Sequence, residues 1–278
     1  MSLRLGTCGW SYDEWLHVFY PDKDTHKLSF YSKVFNTVEV DSTFYDYPDE
    51  KVVVGWARHT PLDFRYCLKL PQLITHKKRL SVALGVESDI TRFLDLLKPL
   101  TTLNKVGVLL VQLPPSLEAD LDLLESFLKV LPLDAFRFAV EFRHPSWWNE
   151  ETWKLLGRYG VANTTVDEPL LPSDMVFTSD CTYVRWHGWG SRVWYDYRYT
   201  KDQISNWVPK LREALRKTKE VYGYWNNHFH GYAVLNCLES LELMGMLNEE
   251  QRAALQRASS SIDSRQKSLL DFGSQGGG

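Results

Sequence analysis

The sequence predicts an α/β protein built as a (β/α)8 TIM barrel, and three observations predict it. A strand followed by a helix recurs about eight times over roughly 250 residues, the signature of that barrel. The strands are mostly continuous apolar runs, which suit a parallel sheet covered on both faces. Several strands end in polar or charged residues. The clearest is the run from Phe138 to Trp148, where an apolar parity at Phe138, Val140 and Phe142 alternates with Glu141 and Arg143 before His144-Pro145.

Taken in order, residues 3–8 form a short strand ending in Gly6-Thr7-Cys8-Gly9-Trp10, and residues 28–35 have helical spacing. Residues 37–43 are the second strand, with Val38 and Val40 on one side and Glu39, Asp41 and Thr43 on the other. An aromatic loop at residues 44–48 leads to a helix at 50–59. The third strand, 64–70, ends in Lys69-Leu70-Pro71, and residues 74–100 form a long, mostly helical excursion. The fourth strand, 106–113, ends in Gln112, and a leucine-faced helix spans 117–131. After the strand that opens at Phe138, a helix covers about 149–159. In the sixth strand, 161–167, Asn163, Thr165 and Asp167 share a parity. The connection that follows is too polar and proline-rich for a full helix, so an irregular loop is expected there. The seventh strand, 182–187, places Tyr183, Arg185 and His187 on one side. A helix at 202–217, an eighth strand at 221–227 and a last helix at 230–246 complete the barrel.

The 278 residues, 44% hydrophobic, suffice for one large core, so residues 1–258 are read as one domain. Polar residues 259–278 are expected to be a flexible tail. Aromatics reach 14%, which predicts an aromatic core or a ring-lined cleft. A net charge of -3 argues against a surface built for non-specific nucleic-acid binding, although His76-Lys77-Lys78-Arg79 is a local basic cluster. Four scattered cysteines without a CxxC pair read as reduced thiols. With no signal peptide and no membrane span in the sequence, the expected location is cytoplasmic.

Several motifs carry a resemblance. They are Gly6-Thr7-Cys8-Gly9-Trp10 with Tyr12, Trp15 and Phe19-Tyr20-Pro21; Thr37-Val38-Glu39 with Thr43-Phe44-Tyr45; Thr60-Pro61; and Ile74-Thr75-His76. Others are Gln112-Leu113-Pro114-Pro115, Glu141-Phe142-Arg143-His144 with Trp147, Arg185-Trp186-His187-Gly188, and Asn226-Asn227-His228 with Gly231, Ala233 and Asn236. In this order the chain resembles the YecE-like family, over about residues 3–247. The resemblance implies a barrel of the triosephosphate-isomerase type and no particular activity. Cys8 stands where the family usually has serine, and Asp41 where it usually has asparagine.

Barrels of this type carry their sites at the carboxyl ends of the strands. The candidate catalytic residues there are Glu39, Lys69, Glu141, Asp167 and His187. The candidate substrate-binding residues are Trp10, Tyr45, Gln112, Arg143, His144, Trp147, Arg185, Arg192 and Asn227. Glu141 and Asp167 lie on adjacent strands and form a candidate carboxylate pair for acid–base or glycosidic chemistry. Arg143, Arg185, Arg192 and the Gly188–Gly190 loop form a candidate phosphate site. Glu141, His144, Asp167, His187 and His228 are compatible with a divalent metal, without ligand spacing to specify one. No nucleotide-binding loop is present, so no nucleotide cofactor is indicated. Cys8 reads as a small buried residue.

In the tail, Gln266, Leu269 and Phe272 have the spacing of a peptide that binds the sliding clamp PCNA. The favoured expectation is an enzyme acting on a phosphate-bearing substrate, with nucleic acid under repair by a hydrolase or nuclease as one form of it. The alternatives are a non-enzymatic ligand- or nucleic-acid-binding protein recruited to the clamp, and a carbohydrate-active hydrolase.

Overall fold

The computed structural model describes residues 1–275, and side chains as far as residue 265. Eight strands form the barrel: β1 (Ser2–Thr7), β2 (Thr37–Val40), β3 (Arg65–Lys69), β4 (Val106–Gln112), β5 (Arg137–Glu141), β6 (Ala162–Asp167), β7 (Cys181–Trp186) and β8 (Glu220–Trp225). They run β1-β8-β7-β6-β5-β4-β3-β2, every pair parallel. A parallel bridge between Cys8 and Glu39, with Gly9 N donating to Glu39 O at 2.8 Å, brings β1 against β2 and closes the ring.

The helices are α1 (Lys27–Val34), α2 (Ser42–Tyr45), α3 (Glu50–Arg58), α4 (Val86–Leu96), α5 (Lys98–Thr102), α6 (Leu121–Val130), α7 (Glu150–Tyr159), α8 (Lys201–Lys217), α9 (Tyr232–Met244) and α10 (Glu249–Gln275). Several of their starts follow capping chemistry. Asp120 accepts from Leu123 N and Asn149 from Thr152 N, and Thr200 forms a capping box with Gln203.

Strand alternation sorts the side chains into two layers. Val38, Val40, Leu109, Val111, Phe138, Val140, Phe142, Trp186 and Trp225 pack outward beneath the helices. Cys67, Val108, Leu110, Ala139, Tyr183, Tyr222 and Tyr224 fill the barrel interior. The inward parity therefore continues upward into Glu39, Lys69, Gln112, Glu141, Arg185 and His187 at the carboxyl end.

Four details refine the sequence reading. The expected aromatic loop begins as α2. The excursion after β3 is broken into a π-helical turn at Leu73–Lys77, a 3₁₀ turn at Val82–Leu84, and α4 and α5. The connection from β6 to β7 contains no helix, as its prolines predict. The polar stretch from Ser259 begins as a continuation of α10. Ala258 and Ile262 are buried against Val18 and Leu235, Asp263 pairs with Arg198 at 2.9 Å, and Arg265 donates to Leu16 O at 3.0 Å. The boundary expected at residue 258 thus falls inside a packed helix. Gln266, Leu269 and Phe272 lie outside the residues whose side chains are described. Among the described residues, no helix is long and apolar enough to cross a membrane.

Candidate functional site

Arg185, 1% exposed at the end of β7, is the hub of the barrel mouth. It donates through Nε and Nη2 to Glu39 Oε1 at 3.0 and 2.6 Å, and through Nη1 to Glu141 Oε2 at 2.7 Å. Glu39 also accepts from the Cys8 thiol at 2.9 Å and the Tyr183 hydroxyl at 2.6 Å. Glu141 accepts from Gln112 Nε2 at 2.6 Å and lies 3.2 Å from Arg143 Nη1, which also pairs with Glu168 at 2.7 Å. One guanidinium thereby joins β7 to both β2 and β5.

The network separates its two glutamates. Burial pushes Glu141 up, but Arg185 and Arg143 outweigh it and hold the carboxyl well below its ordinary range. Burial of Glu39 prevails over Arg185, and its pKa is raised. His187 is pushed down to about 4 by burial and by Arg185, so it is neutral at neutral pH. Asn226 Nδ2 stands 2.9 Å from His187 Nδ1. The imidazole Nε2 lies 3.3 Å from Arg185 Nη1 and 3.5 Å from Glu141 Oε1.

Above this floor lies a cavity of about 250 Å³ lined by Tyr12, Asp41, Tyr45, Lys69, Gln112, Arg143, Arg185, His187, Tyr195, Asn226 and His228. Its wall carries three full cations, Lys69, Arg143 and Arg185, against one carboxylate, Asp41. Glu39 and Glu141 are fully buried beneath and already bound. Tyr12 and Asp41 also line a neighbouring apolar cavity of about 260 Å³ with Trp10 and Trp56. A larger hollow of about 380 Å³ sits at the other end of the barrel beside Arg137 and Asp180, on the face where such barrels carry stability rather than chemistry.

Cys8, Glu39 and Asp41 bring three ligand-capable atoms within 4.8 Å of one another. Arg185 Nη2 stands among them, 2.6 Å from Glu39, 3.5 Å from Asp41 and 3.7 Å from Cys8. The guanidinium supplies the positive charge that a metal would bring, so this donor set does not fit a cation. Burial, reinforced by Glu39, pushes the Cys8 thiol far up, which suits a packing role.

Residues 4–261 match the family described as "Protein of unknown function DUF72". The chain belongs to the DUF72 family. It is similar to the UPF0759 protein YunF of Bacillus subtilis, 26% identical over 270 residues, 87% of this chain and 94% of that protein. It is also similar to the UPF0759 protein YecE of Escherichia coli O157:H7, 32% identical over 173 residues, 62% of this chain and 59% of that protein. A crystal structure of a DUF72 family protein from Thermotoga maritima superimposes with a TM-score of 0.79 at 30% identity, covering 88% of this chain and 100% of that one. One from Enterococcus faecalis, at 22% identity and a TM-score of 0.78, shares the fold over 89% of this chain and 97% of its own. The resemblance drawn from the motifs holds across the barrel.

Within this DUF72 barrel, Glu39, Lys69, Gln112, Glu141, Arg143, Arg185, His187 and Tyr45 gather at the mouth as expected. Asp167 does not join them. It accepts from Trp189 Nε1 at 3.0 Å and from Trp207 Nε1, on α8, at 3.1 Å. The inward parity of β6 begins at Ala162, so the residue that reaches Arg143 is Glu168, one position on. The Glu141–Asp167 pair, and the glycosidic reading built on it, have no geometric basis.

Arg192 is exposed and does not line the cavity. Gly188 N donates to the Tyr199 hydroxyl and Gly190 N to Trp194 O, so that loop is a tight turn rather than an anion cradle. His144 is used locally, accepting from Ser146 N to cap the turn Pro145–Trp147. Trp147 is buried, stacked on Phe142 and bonded to Leu117 O, and serves packing. Asn227 is also structural, donating to Tyr197 O and Asn236 Oδ1, while its neighbour Asn226 lines the cavity. Trp10 meets Trp56 and Tyr66 edge-on, beside the apolar cavity. Sequence reasoning missed Tyr12, Glu168, Tyr195 and Asn226. Tyr12 and Asn226 stood inside quoted motifs, but Tyr195 and Glu168 carried no local signal.

Proposed function

We propose that the protein is an enzyme acting on a small phosphate-bearing molecule held at the mouth of the barrel. The observation that carries this reading is the cavity wall, with three cations against one carboxylate, while the three other acids, Glu39, Glu141 and Glu168, are buried behind it and paired with Arg185 and Arg143. Arg143 holds the phosphate, because a guanidinium matches its oxygens in pairs. Neutral His187 and the carboxylate of Asp41 handle protons, and Tyr12, Tyr195, Gln112 and Asn226 orient the rest of the molecule. The volume suits a small metabolite rather than a polymer strand. The four cysteines are free, which agrees with a reducing, cytoplasmic setting.

The test is calorimetric titration with inorganic phosphate and a panel of small phosphate esters. Saturable binding is expected, weakened about tenfold or more in Arg143→Met. A wild-type protein that binds none of them, or a variant that binds equally well, refutes the reading.

Recruitment to a sliding clamp through Gln266, Leu269 and Phe272 is a separate proposal, resting on their spacing. Binding to the clamp that disappears in Phe272→Ala supports it. An absence of saturable binding removes the reason to place the reaction on DNA.

A further inference from the structure

Two lysines are buried among the described residues, and they differ in one respect. Lys105 Nζ donates to Ala57 O and Thr60 O at 2.6 Å each and to Thr60 Oγ1 at 3.1 Å. Its three N–H groups are satisfied. Lys69 is 8% exposed and faces the cavity, yet among the described residues its Nζ meets no hydrogen-bond acceptor. The nearest carboxylate oxygen, on Asp41, is 3.9 Å away, and the face of Phe44 lies 4.0 Å from Nζ. Lys69 Nζ opens onto the cavity, so its donors are available to a ligand there, whereas those of Lys105 are used within the fold. Arg185 and Arg143 already supply the cavity's fixed positive charge.

We propose that Lys69 is the nucleophile of this site and forms an imine with a carbonyl carbon of the substrate. The proposal rests on the phosphate-substrate reading and names the substrate class: a small phosphorylated aldehyde or ketone. Burial pulls the ammonium down, Arg185 adds to this, and Asp41 opposes it. In the step itself, Lys69 first hands one proton to Asp41, leaving a lone pair on Nζ. The N–C bond forms as the carbonyl π pair moves to oxygen, and a proton passes from nitrogen to that oxygen. The proton held by Asp41 then returns to the hydroxyl, which leaves as water, and the C=N iminium remains. Ammonium and carbonyl thus become iminium and water, with no oxidant or reductant. The iminium accepts the electron pair of an adjacent C–H or C–C bond, with neutral His187 on the same wall to take a proton.

The test uses the full-length protein and two probes. Dihydroxyacetone phosphate followed by borohydride traps an imine, and formaldehyde with cyanoborohydride alkylates reactive amines without needing recognition. Peptide mass mapping locates the adducts. The expected result is one dihydroxyacetone phosphate adduct per chain, at Lys69, suppressed by inorganic phosphate and absent in Lys69→Arg. Methylation of Lys69 at neutral pH is expected to run about tenfold faster than at exposed Lys77. If Lys69 labels no faster than Lys77 in either reaction, the imine is overturned, and phosphate binding on the same sample stands or falls separately. Preferential labelling of Lys69 by formaldehyde, with no binding of inorganic phosphate, keeps the nucleophile and overturns the phosphate reading.

Discussion

At the scale of single residues, the site depends on one guanidinium. Arg185 neutralises two fully buried glutamates. Replacing it with methionine keeps the volume and leaves both acids unpaired. Arg185→Met should therefore destabilise the fold by about 3–5 kcal/mol, read from urea denaturation. A loss under 1 kcal/mol would mean that the acids are satisfied without it.

His187 carries a pH signature. Its folded pKa, about 4, lies below the ordinary value of 6.5. The unfolded chain therefore takes up the proton first as pH falls. The contribution of His187 is complete above pH 6.5 and drains away as the pH drops toward 4, about 3 kcal/mol in all. Stability measured between pH 7 and 5 should fall less steeply in His187→Asn than in the wild type. Equal slopes would show that the imidazole is not held neutral.

At the scale of elements, the helix-free connection before β7 and the end of α10 decide the most. Without a crossover helix, the outer face of β6 is covered by other segments. Thr178 of the connecting loop donates to Val161 O and accepts from Asn163 N, while Trp207 of α8 reaches Asp167. The polar parity of β6 is thereby usable on the outside, where a covering helix would demand apolar residues. For α10, a chain ended after residue 258 should melt several degrees below one ended after 265, because Ile262 loses its burial against Val18 and Leu235. Equal melting temperatures would restore the flexible-tail expectation from Ser259.

At the scale of the whole molecule, the floor of the cavity is also the seal of the barrel. Arg185 spans β7 to β2 and β5, and the Thr37 and Tyr224 hydroxyls meet at 2.6 Å across the interior. A ligand that engages this floor binds the folded chain alone. A phosphate ester at 100 times its dissociation constant should raise stability by about 2.7 kcal/mol, seen as an upward shift of the melting temperature. An ester that binds calorimetrically without that shift must sit elsewhere.

The sequence by itself determined the barrel and much of its mouth. Apolar periodicity names the face of a strand that meets the helices, and in β2, β5 and β7 the opposite face carries Glu39, Glu141 and Arg185 inward, while Lys69 and Gln112 were legible only as polar residues at the ends of apolar strands. The same rule failed at β6, and it selected Asn227 in place of Asn226. A strand's parity names a side only when what covers each side is known, and a shift of one residue reverses it. Tertiary structure alone decided that Trp147 packs and that Glu168 replaces Asp167. It also brought Tyr12 and Tyr195, 183 positions apart in the chain, to one cavity, and left Lys69 without a hydrogen-bond acceptor among the described residues where Lys105 has three. Whether a polar group is satisfied depends on the positions of partners far along the chain, and local sequence holds no record of those positions.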